Sequence, residues 1–317
     1  MTKGPNETPE IQASEILITV VICTRNRVAF LEKAIRSVLP QLNPDTEFIV
    51  VDNASTDDTR ITCERLREET VYLLYHFEPK LGLSTARNTA LTLARGKYIL
   101  YLDDDAMAEP GWLDAYRNFL TQSPSAKIAV VGGGVISYFS SQPPIWITPG
   151  NSRFDLGKDA FLLSSPSLSG ANSAYDREAV VAVGLFDEHL GYKGNSFIPR
   201  EETELQDRLI KAGWECWWLP GAAVQHHVAA ERLTVKALAT GAFNSGRGAA
   251  IHRLKTKKTK FSRIILRMAR ILTVPFHAVI NLVQCVVLFS VGKQADAIGA
   301  LCRVTRALGW GWQMITH

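Results

Sequence analysis

Four runs of β-branched and aromatic residues alternate with helical patterns over residues 16–105, and this alternation constrains the fold more than any other feature. The runs are "ILITVVICT", "EFIVVDNAS", "VYLLYHFE" and "KYILYLDDD", and amphipathic segments such as "RVAFLEKAIRSVLPQL" separate them. A nearly continuous apolar run is typical of a strand that is buried on both faces. Strands that alternate with helices at this pace predict βαβ units, and therefore an α/β fold with a parallel sheet covered by helices.

Polar clusters follow three of these strands, at the point where each apolar run ends. The clusters are Thr24-Arg25-Asn26, Asp52-Asn53 and Asp103 to Asp105. In open parallel sheets, ligands bind beyond the carboxyl ends of the strands. We therefore expect a single binding site at this edge. Asp52 and Asn53 have the donors and acceptors to contact a nucleobase, although polar residues here also suit the cap of the following helix.

The three consecutive aspartates suggest a cation site. Asp103 and Asp105 flank Asp104, and residues two apart in an extended segment face the same way. Two carboxylates on one face suit a hard divalent cation such as Mg²⁺ or Mn²⁺. An acidic surface turn has the same letters, so the position of the motif after a buried strand carries much of the argument. Asp104 is expected not to ligate the cation.

The end of the chain differs in character from the rest. The formal net charge is +4, of which residues 247–317 contribute +11, so residues 1–246 carry −7. Residues 271–292 contain no Asp, Glu, Lys or Arg. About 20 apolar residues can span a bilayer, a basic amphipathic helix can lie in the interface, and a packed helical subdomain is the third alternative. We expect membrane association, with the basic residues keeping the preceding domain on the cytoplasmic side.

Composition excludes several classes of protein. A hydrophobic fraction of 46% and a charged fraction of 21% are those of a globular chain, not of a disordered one. Five cysteines without CxxC pairing offer neither a zinc site nor a disulfide framework, which favours a reducing compartment. The basic stretch "KTKKTK" lacks interleaved aromatic residues, so nucleic-acid binding is not expected. Residues 1–14 lack a signal pattern and are predicted to form a flexible leader.

The motifs resemble, in their order and spacing, those of family 2 glycosyltransferases with the GT-A fold. They are "VVICTRNR", "VVDNASTDDT", "LGLSTARNTAL", "YILYLDDDAMAEPGWL", "SGANSAYDREAVVAVGLFDEHLG" and "REETELQDRLIKAGWECWWLPGAAVQHH". The resemblance extends over residues 16–227. It implies transfer of a sugar from a nucleotide diphosphate donor with inversion at the anomeric carbon, using Mn²⁺ or Mg²⁺, and UDP is the commonest donor nucleotide in the family.

The resemblance also assigns roles to particular residues. Nucleotide-sugar contacts fall on Thr24, Arg25, Asn26, Asp52, Asn53, Arg87, Asp103 and Asp104. Metal ligands fall on Asp103, Asp105 and one of the adjacent histidines His226 and His227, with His227 favoured. The acceptor side comprises Gly170, Ala171, Asn172 and Glu201.

Glu202 is the candidate catalytic base, and it departs from the family pattern. The family usually has Glu-Asp at the start of this helix, where this chain has Glu201-Glu202. Glu and Asp have similar intrinsic pKa values, about 4.3 and 3.9, so the longer side chain preserves the chemistry if the backbone adjusts. Acidic residues are also favoured in a first helical turn without any catalytic role.

The predicted organisation has three parts. A GT-A catalytic domain covers residues 15–246, with a nucleotide-sugar-binding half at 15–135 and an acceptor-binding half at 136–246. Residues 247–317 form a helical, membrane-associated region. The predicted product is a bacterial surface polysaccharide or glycolipid, made from a saccharide or lipid-linked acceptor at the cytoplasmic face of the inner membrane by a peripheral or single-span enzyme. The sugar and the acceptor stay open.

Two rival functions stay open at this point. The first is a nucleotidyltransferase acting on a sugar phosphate, although such enzymes more often have a glycine-rich basic loop where this chain has "CTRNRVAF". The second is a catalytically weak scaffold that binds a nucleotide sugar, and Glu202 is its best support. Release of a nucleoside diphosphate instead of pyrophosphate distinguishes sugar transfer from the first rival.

Overall fold

A computed structural model describes residues 16–70, 72–147, 153–194, 196–255 and 259–316. The predicted leader, residues 1–14, lies outside the described residues. The chain divides into two compact units. The first comprises Met1–Ile136, Phe154–Glu188 and Glu202–His226, and the second comprises Ser137–Arg153, His189–Glu201 and His227–His317. The predicted domain boundaries are not tested by this division and stay predictions.

The strands and helices have the following bounds. The strands are β1 (Ile18–Thr24), β2 (Thr46–Asp52), β3 (Leu73–Phe77), β4 (Tyr98–Asp103), β5 (Ala106–Ala108), β6 (Ile128–Gly132), β7 (Val135–Phe139), β8 (Arg153–Phe154), β9 (Phe161–Leu162), β10 (Asn172–Asp176), β11 (Gly191–Lys193), β12 (Ser196–Ile198), β13 (Glu215–Trp218) and β14 (Val224–Val228). The α-helices are α1 (Val28–Val38), α2 (Thr59–Glu69), α3 (Leu83–Leu93), α4 (Trp112–Thr121), α5 (Arg177–Val183), α6 (Glu201–Lys211), α7 (Val235–Lys255), α8 (Lys260–Ser290) and α9 (Gln294–Thr316).

An eight-stranded sheet forms the centre of the first unit, in the order β3-β2-β1-β4-β10-β6-β13-β9. The first four strands in this order are mutually parallel, as the alternation of strands and helices predicts. The sheet is nevertheless mixed, because β10 runs antiparallel between β4 and β6. The reversed direction places the start of β10 beside the carboxyl end of β4, where Asn172 is opposite Leu102.

Successive residues of the central strands face two different hydrophobic cores, one on each side of the sheet. In β1, Val20 and Ile22 pack into one core and Val21 packs into the other, and all three are fully buried. This is the arrangement that a continuous apolar strand sequence predicts, because side chains alternate between the faces of a sheet. Packing on both faces holds the strands of the sheet in place. The polar clusters lie at the ends of these strands.

The second unit contains the hairpin of β11 and β12 and the helices α7, α8 and α9. Helices α7 and α9 approach closely at two glycines. A Cβ atom on Gly246 would lie 2.0 Å from the carbonyl oxygen of Arg306, and one on Gly309 would lie 1.9 Å from that of Phe243. Any larger side chain at either position would therefore separate the two helices.

Among the described residues, one helical segment is long and apolar enough to cross a membrane by length and composition. It is Ile264–Ser290 within α8, and none of its most apolar window is buried. Two polar residues of this segment, Asn281 and Gln284, accept hydrogen bonds from Arg303 of α9 at 2.7 and 3.0 Å. Their side chains are therefore used in the packing of α8 against α9.

Candidate active site

The carboxyl ends of β1, β2 and β4 bring the three polar clusters to one edge of the large sheet. Thr24 is in register with Asp52, and Cys23 is in register with both Val51 and Asp103. Each chain segment turns away from the sheet just after these residues. The polar side chains that follow the three strands therefore lie side by side, as the sequence pattern predicts.

Asp103, Asp105 and His226 form a cluster whose potential ligand atoms all lie within 4.8 Å of one another. The pairing of β5 with β14 sets Ala106 opposite His226 and so brings the imidazole to the aspartates. His226 Nε2 is 3.0 Å from Asp105 Oδ1 and 3.8 Å from Asp103 Oδ2. Carboxylate oxygens suit Mg²⁺ and Mn²⁺, and imidazole suits transition metals. This donor set fits a divalent cation.

The structure places His226, and not the favoured His227, beside the aspartates. Neighbouring side chains on a strand point to opposite faces, so only one of the two histidines can face this cluster. The His227 imidazole instead lies 2.7 Å from the hydroxyl of Ser140, measured from Nε2 to Oγ. The choice of His227 is therefore corrected: His226 is the histidine that lies beside the aspartates, and its role as a metal ligand stays a prediction.

Cationic side chains neutralise all three aspartates. Arg27 donates from Nη1 to Asp104 at 2.8 Å and from Nη2 to Asp105 at 2.7 Å. Arg87 Nη2 is 3.4 Å from Asp103, and His226 is beside Asp105. Thr24 donates a further hydrogen bond of 2.8 Å to Asp104. Three consecutive carboxylates are tolerated because each has a specific partner.

The pKa values of the cluster follow from this arrangement. Burial alone would raise the pKa of Asp105, but His226 and Arg27 lower it well below its usual range. Burial raises the pKa of Asp104 to about 7, against the opposing charge of Arg27. For His226, burial lowers the pKa, but hydrogen bonds and charges of Asp103 and Asp105 outweigh it and raise the pKa to about 9. The His226 imidazole is therefore protonated at neutral pH. A cation that binds to this imidazole would have to displace the proton.

Asp52 and Asn53, predicted nucleotide contacts, are both buried and are used within the protein. Asp52 accepts a 2.7 Å hydrogen bond from the Tyr75 hydroxyl and one of 2.9 Å from the Ser55 backbone N–H. Asn53 accepts from the Gly82 backbone N–H at 2.8 Å, and its amide donates to the carbonyls of Glu78 and Lys80. Asn53 therefore holds the loop before α3, and any contact of its side chain with a nucleotide would have to replace these bonds.

The loop after β1 is also held by side chains. Asn26 has a positive φ of 54°, and its side-chain oxygen accepts a 2.6 Å hydrogen bond from the backbone N–H of Thr56. Arg25 is half-buried, and its Nε is a buried donor without a hydrogen-bond partner among the described residues. Of the two, Arg25 has an open donor for a bound nucleotide, whereas Asn26 fixes the loop.

Arg87 lies at the centre of the site. Its side chain is buried, and the guanidinium lies 5.6 Å from the ring centroids of both Tyr101 and Phe186. Nη2 also donates to the carbonyl of Gly170 at 3.3 Å. This burial excludes a solvent-exposed salt bridge as the role of Arg87. The guanidinium joins Asp103 to the predicted acceptor segment.

Gly170, Ala171 and Glu202 lie on the other side of Arg87. A Cβ atom on Gly170 would lie 3.0 Å from Arg87 Nη2 and 3.5 Å from the Cβ of Glu202. The carbonyl of Ala171 accepts the Asp103 backbone N–H at 3.3 Å, which ties this segment to the end of β4. Glu201 and Glu202 begin α6, Glu201 buried and Glu202 half-buried. Glu202 thus lies close to Gly170 at the start of α6.

Asn172 is fully buried, and its side chain makes four hydrogen bonds inside the protein, which corrects its predicted side-chain contact with the acceptor. Its Oδ1 accepts from Trp112 Nε1 at 2.8 Å and from the Tyr116 hydroxyl at 2.9 Å. Its Nδ2 donates to the carbonyls of Gly134 and Ala222 at 2.9 and 2.7 Å. With both donors and both acceptor sites used, Asn172 has no hydrogen-bonding capacity left for a ligand.

The sequence profile described as Glycosyl transferase family 2 matches residues 19–184, more than half of the 317 residues. The chain belongs to glycosyl transferase family 2. The match includes the ends of β1, β2 and β4, together with α3 and β10. At the level of the family, the predicted enzyme class, a glycosyltransferase, is confirmed.

This family 2 chain has similar proteins in polysaccharide and lipid-linked sugar synthesis. A glucosyl-dolichyl phosphate glucuronosyltransferase of Haloferax volcanii is 23% identical over 203 residues, 61% of this chain and 63% of that protein. The succinoglycan biosynthesis protein ExoM of Rhizobium meliloti is 28% identical over 249 residues, 76% of this chain and 74% of that protein. The chain thus spans less than two thirds of the Haloferax protein.

A solved structure shares the fold. A mannosyltransferase from Pyrobaculum calidifontis, in complex with GDP-Man and Mn²⁺, has a TM-score of 0.64 at 16% identity and covers 93% of this chain and 87% of that one. The predicted α/β fold of GT-A type is confirmed for this family 2 chain by that likeness and the family match.

The sequence analysis did not single out two residues of the candidate site. Arg27 donates hydrogen bonds to two aspartates, Asp104 and Asp105, and the Tyr75 hydroxyl donates one to Asp52. Arg27 is the second arginine of "CTRNR" and directly precedes α1. A basic residue so close to the predicted acidic site could have been noticed as a counter-charge. Tyr75 has no such signal, because an aromatic residue in a strand is ordinary core sequence.

Proposed function

We propose that this family 2 chain transfers a sugar from a nucleoside diphosphate donor to a hydroxyl group of a saccharide or lipid-linked acceptor, with inversion at the anomeric carbon. The observation that carries the proposal is the convergence of Asp103, Asp105 and His226 at the end of β4. Such a cluster, beside a buried arginine and a carboxylate on α6, contains the groups that diphosphate displacement needs.

Asp103, Asp105 and His226 would hold the cation. When bound, a divalent cation supplies positive charge that stabilises the departing nucleoside diphosphate. The imidazole in the ligand set favours Mn²⁺ over Mg²⁺. Arg27 keeps Asp105 oriented by binding its second oxygen, and Arg25 offers its Nε to the nucleotide. We propose UDP as the donor nucleotide, as the commonest in the family.

Glu202 would accept the proton of the acceptor hydroxyl as that oxygen attacks. A hydroxyl is too weak an acid to lose its proton unaided, so a carboxylate within hydrogen-bond reach lowers the barrier. Gly170 lets the acceptor approach Arg87 and Glu202, since the three heavy atoms nearest to the position that a Cβ would take belong to these two residues. In-line displacement requires the base and the leaving group on opposite sides of the anomeric carbon, and Arg87 separates Glu202 from Asp103.

The acceptor and the location are proposed from the relatives and from α8. One relative is named for a dolichyl phosphate and another for succinoglycan, which supports a lipid-linked saccharide as acceptor. The exposed apolar segment of α8 supports a place at the membrane. We propose that the enzyme works at the cytoplasmic face of the inner membrane, as a peripheral or single-span protein, in surface polysaccharide or glycolipid synthesis.

The first experiment incubates the purified protein with a panel of nucleotide sugars and Mn²⁺, and identifies the released product. Nucleoside diphosphate is expected, and pyrophosphate would indicate a nucleotidyltransferase instead. Asp105→Asn should lower donor turnover by at least about a hundredfold, because removing one stabilising group commonly costs two to three orders of magnitude. Asp114→Asn is the matched control, since Asp114 is an exposed acid on α4, and it should leave turnover unchanged.

The second experiment addresses the base. Glu202→Gln should lower kcat by about 10² to 10⁴, the usual contribution of general base catalysis, while the KM for the donor changes little. Asp207→Asn on the same helix is the control. Glu202→Asp restores the family's usual residue and should retain measurable activity. Full activity of Glu202→Gln would remove Glu202 from the mechanism without affecting the metal assignment.

A further inference from the structure

A cavity of about 230 Å³ lies between α8 and α9 of the second unit, and none of its lining residues belongs to the candidate active site. It is lined by Val274, His277, Arg303, Arg306, Ala307 and Trp310. Pockets for drug-sized ligands have volumes of about 300–1,000 Å³. The smaller volume suits a compact group and is too small for a whole nucleotide sugar. The lining combines two guanidinium groups and an imidazole with apolar side chains.

The two arginines give this cavity a positive charge that neighbouring carboxylates do not neutralise. Arg303 and Arg306 are three residues apart on α9 and so lie on one face. Arg303 is held by the neutral amides of Asn281 and Gln284. Among the described residues, no ion pair or hydrogen bond involves the Arg306 guanidinium. Residues 247–317 contain one acid, Asp296, and twelve Lys and Arg.

The surface beside the cavity is apolar and exposed. On α8 the exposed side chains include Ile264, Ile265, Met268, Phe276, Val279, Ile280, Leu282, Val283, Val286, Val287 and Phe289. The same helix contributes Val274 and His277 to the cavity wall. A small cationic cavity next to a long apolar surface is complementary to an amphiphile with an anionic head. A soluble anion would use the cavity and leave the apolar surface exposed.

We propose that this cavity binds the phosphate group of a lipid, while the apolar face of α8 contacts the hydrocarbon chains around it. Guanidinium groups bind phosphate through paired, charge-assisted hydrogen bonds, which makes two adjacent arginines a strong phosphate site. Asn281 and Gln284 hold Arg303 in place for this contact. The inference rests on the proposed function only for the membrane location of α8, and it assigns a specific lipid contact that diffuse surface charge does not provide.

The test is isothermal titration calorimetry of the full chain with dihexanoyl phosphatidic acid below its critical micelle concentration. We expect one lipid per chain, bound more tightly than inorganic phosphate or dihexanoyl phosphatidylcholine. Arg306→Gln, and the double variant Arg303→Gln with Arg306→Gln, should each weaken binding by at least about tenfold, because charge-assisted hydrogen bonds are lost. Arg253→Gln with Lys293→Gln removes two exposed charges outside the cavity and should change binding less than about threefold.

Three results would overturn the proposal. No binding by the wild-type chain would remove the site. Inorganic phosphate binding as tightly as the lipid would identify a soluble ligand instead. Equal losses in the cavity and control variants would mean that diffuse charge attracts the lipid. The first two comparisons use only the wild-type protein, so a variant that unfolds does not prevent a decision. Donor turnover by the wild-type chain without lipid tests the transferase proposal separately.

Discussion

At the scale of single residues, the protonation of the His226 imidazole is the property that is simplest to measure. Its pKa is raised from 6.5 to about 9 by Asp103 and Asp105, in spite of burial. The folded state therefore binds this proton more tightly than the unfolded state does. The resulting stability is complete below pH 6.5 and is lost as the pH rises through 9. The pKa of Asp104 is also raised, to about 7. The stability that the Asp104 proton contributes is therefore almost completely lost by neutral pH.

We predict that the metal-free protein loses roughly 2 kcal/mol of unfolding free energy between pH 7 and pH 9. Mg²⁺ should reduce this loss, because metal binding requires the neutral imidazole and grows stronger as the proton leaves. Urea denaturation at pH 7, 8 and 9, in EDTA or in Mg²⁺, measures both effects. His226→Gln should flatten the metal-free slope, and a variant with the wild-type slope would show that another group titrates.

The residue scale also shows where sequence patterns stop being informative. The alternation rule places Asp103 and Asp105 on one face, and the structure brings both to one cluster. It could not choose between His226 and His227, because the choice depends on the register of β14 against β5. Asn172 was expected to face a ligand because it lies in a family motif. In the structure its side-chain oxygen instead accepts hydrogen bonds from Trp112 and Tyr116, which are distant in sequence.

At the scale of elements, β10 connects the large sheet to the candidate site. The apolar runs of β1, β2 and β4 predict buried parallel strands, because each is continuous and bounded by turn residues. The strand β3 is parallel too, but it lies at the edge of the sheet and is only partly buried. The sequence of β10, "NSAYD", has no such run and no clear period. Its antiparallel insertion between β4 and β6 was therefore not predicted. Its position depends on side-chain hydrogen bonds from Asn172, which no local pattern encodes.

We predict that Asn172→Ala lowers the unfolding free energy by about 3 to 5 kcal/mol. The change leaves the Trp112 indole N–H and the Ala222 carbonyl without their partners, whereas the Tyr116 hydroxyl keeps the backbone carbonyl of residue 172 and the Gly134 carbonyl keeps the Val224 N–H. Each orphaned group costs about 1–3 kcal/mol before relaxation. Asn118→Ala on the exposed side of α4 is the control, expected within about 0.5 kcal/mol of wild type. Urea denaturation measures both. A loss for Asn172→Ala as small as that of the control would mean that β10 is held by its backbone pairing alone.

At the scale of the whole molecule, charge and hydrophobicity are distributed unevenly along the chain. Residues 1–246 carry −7 and residues 247–317 carry +11. The apolar stretch at 271–292 predicts a helix, and α8 indeed covers Lys260–Ser290. The sequence could not show that its polar residues face α9, because that depends on how the two helices pack. The outward surface of α8 is consequently more apolar than the composition of the segment indicates.

We predict that Val283→Lys together with Val287→Lys releases the protein from membranes. Both valines are more than half exposed and one helical turn apart, so lysines there should leave the fold and its melting temperature nearly unchanged. A charged residue at the centre of a spanning helix costs about 2.5–3.5 kcal/mol, so the membrane-bound fraction should fall at least about tenfold. Flotation with vesicles of an anionic and a zwitterionic phospholipid measures that fraction.

The matched control for this prediction is Gln122→Lys together with Ala182→Lys, which adds the same charge at exposed positions in the first unit. Added positive charge alone should strengthen binding to anionic vesicles. The α8 variant and the control should therefore move in opposite directions, and this difference separates hydrophobic insertion from surface attraction. If both variants bind more tightly than wild type, charge alone holds the protein at the membrane, and the apolar face of α8 has another partner.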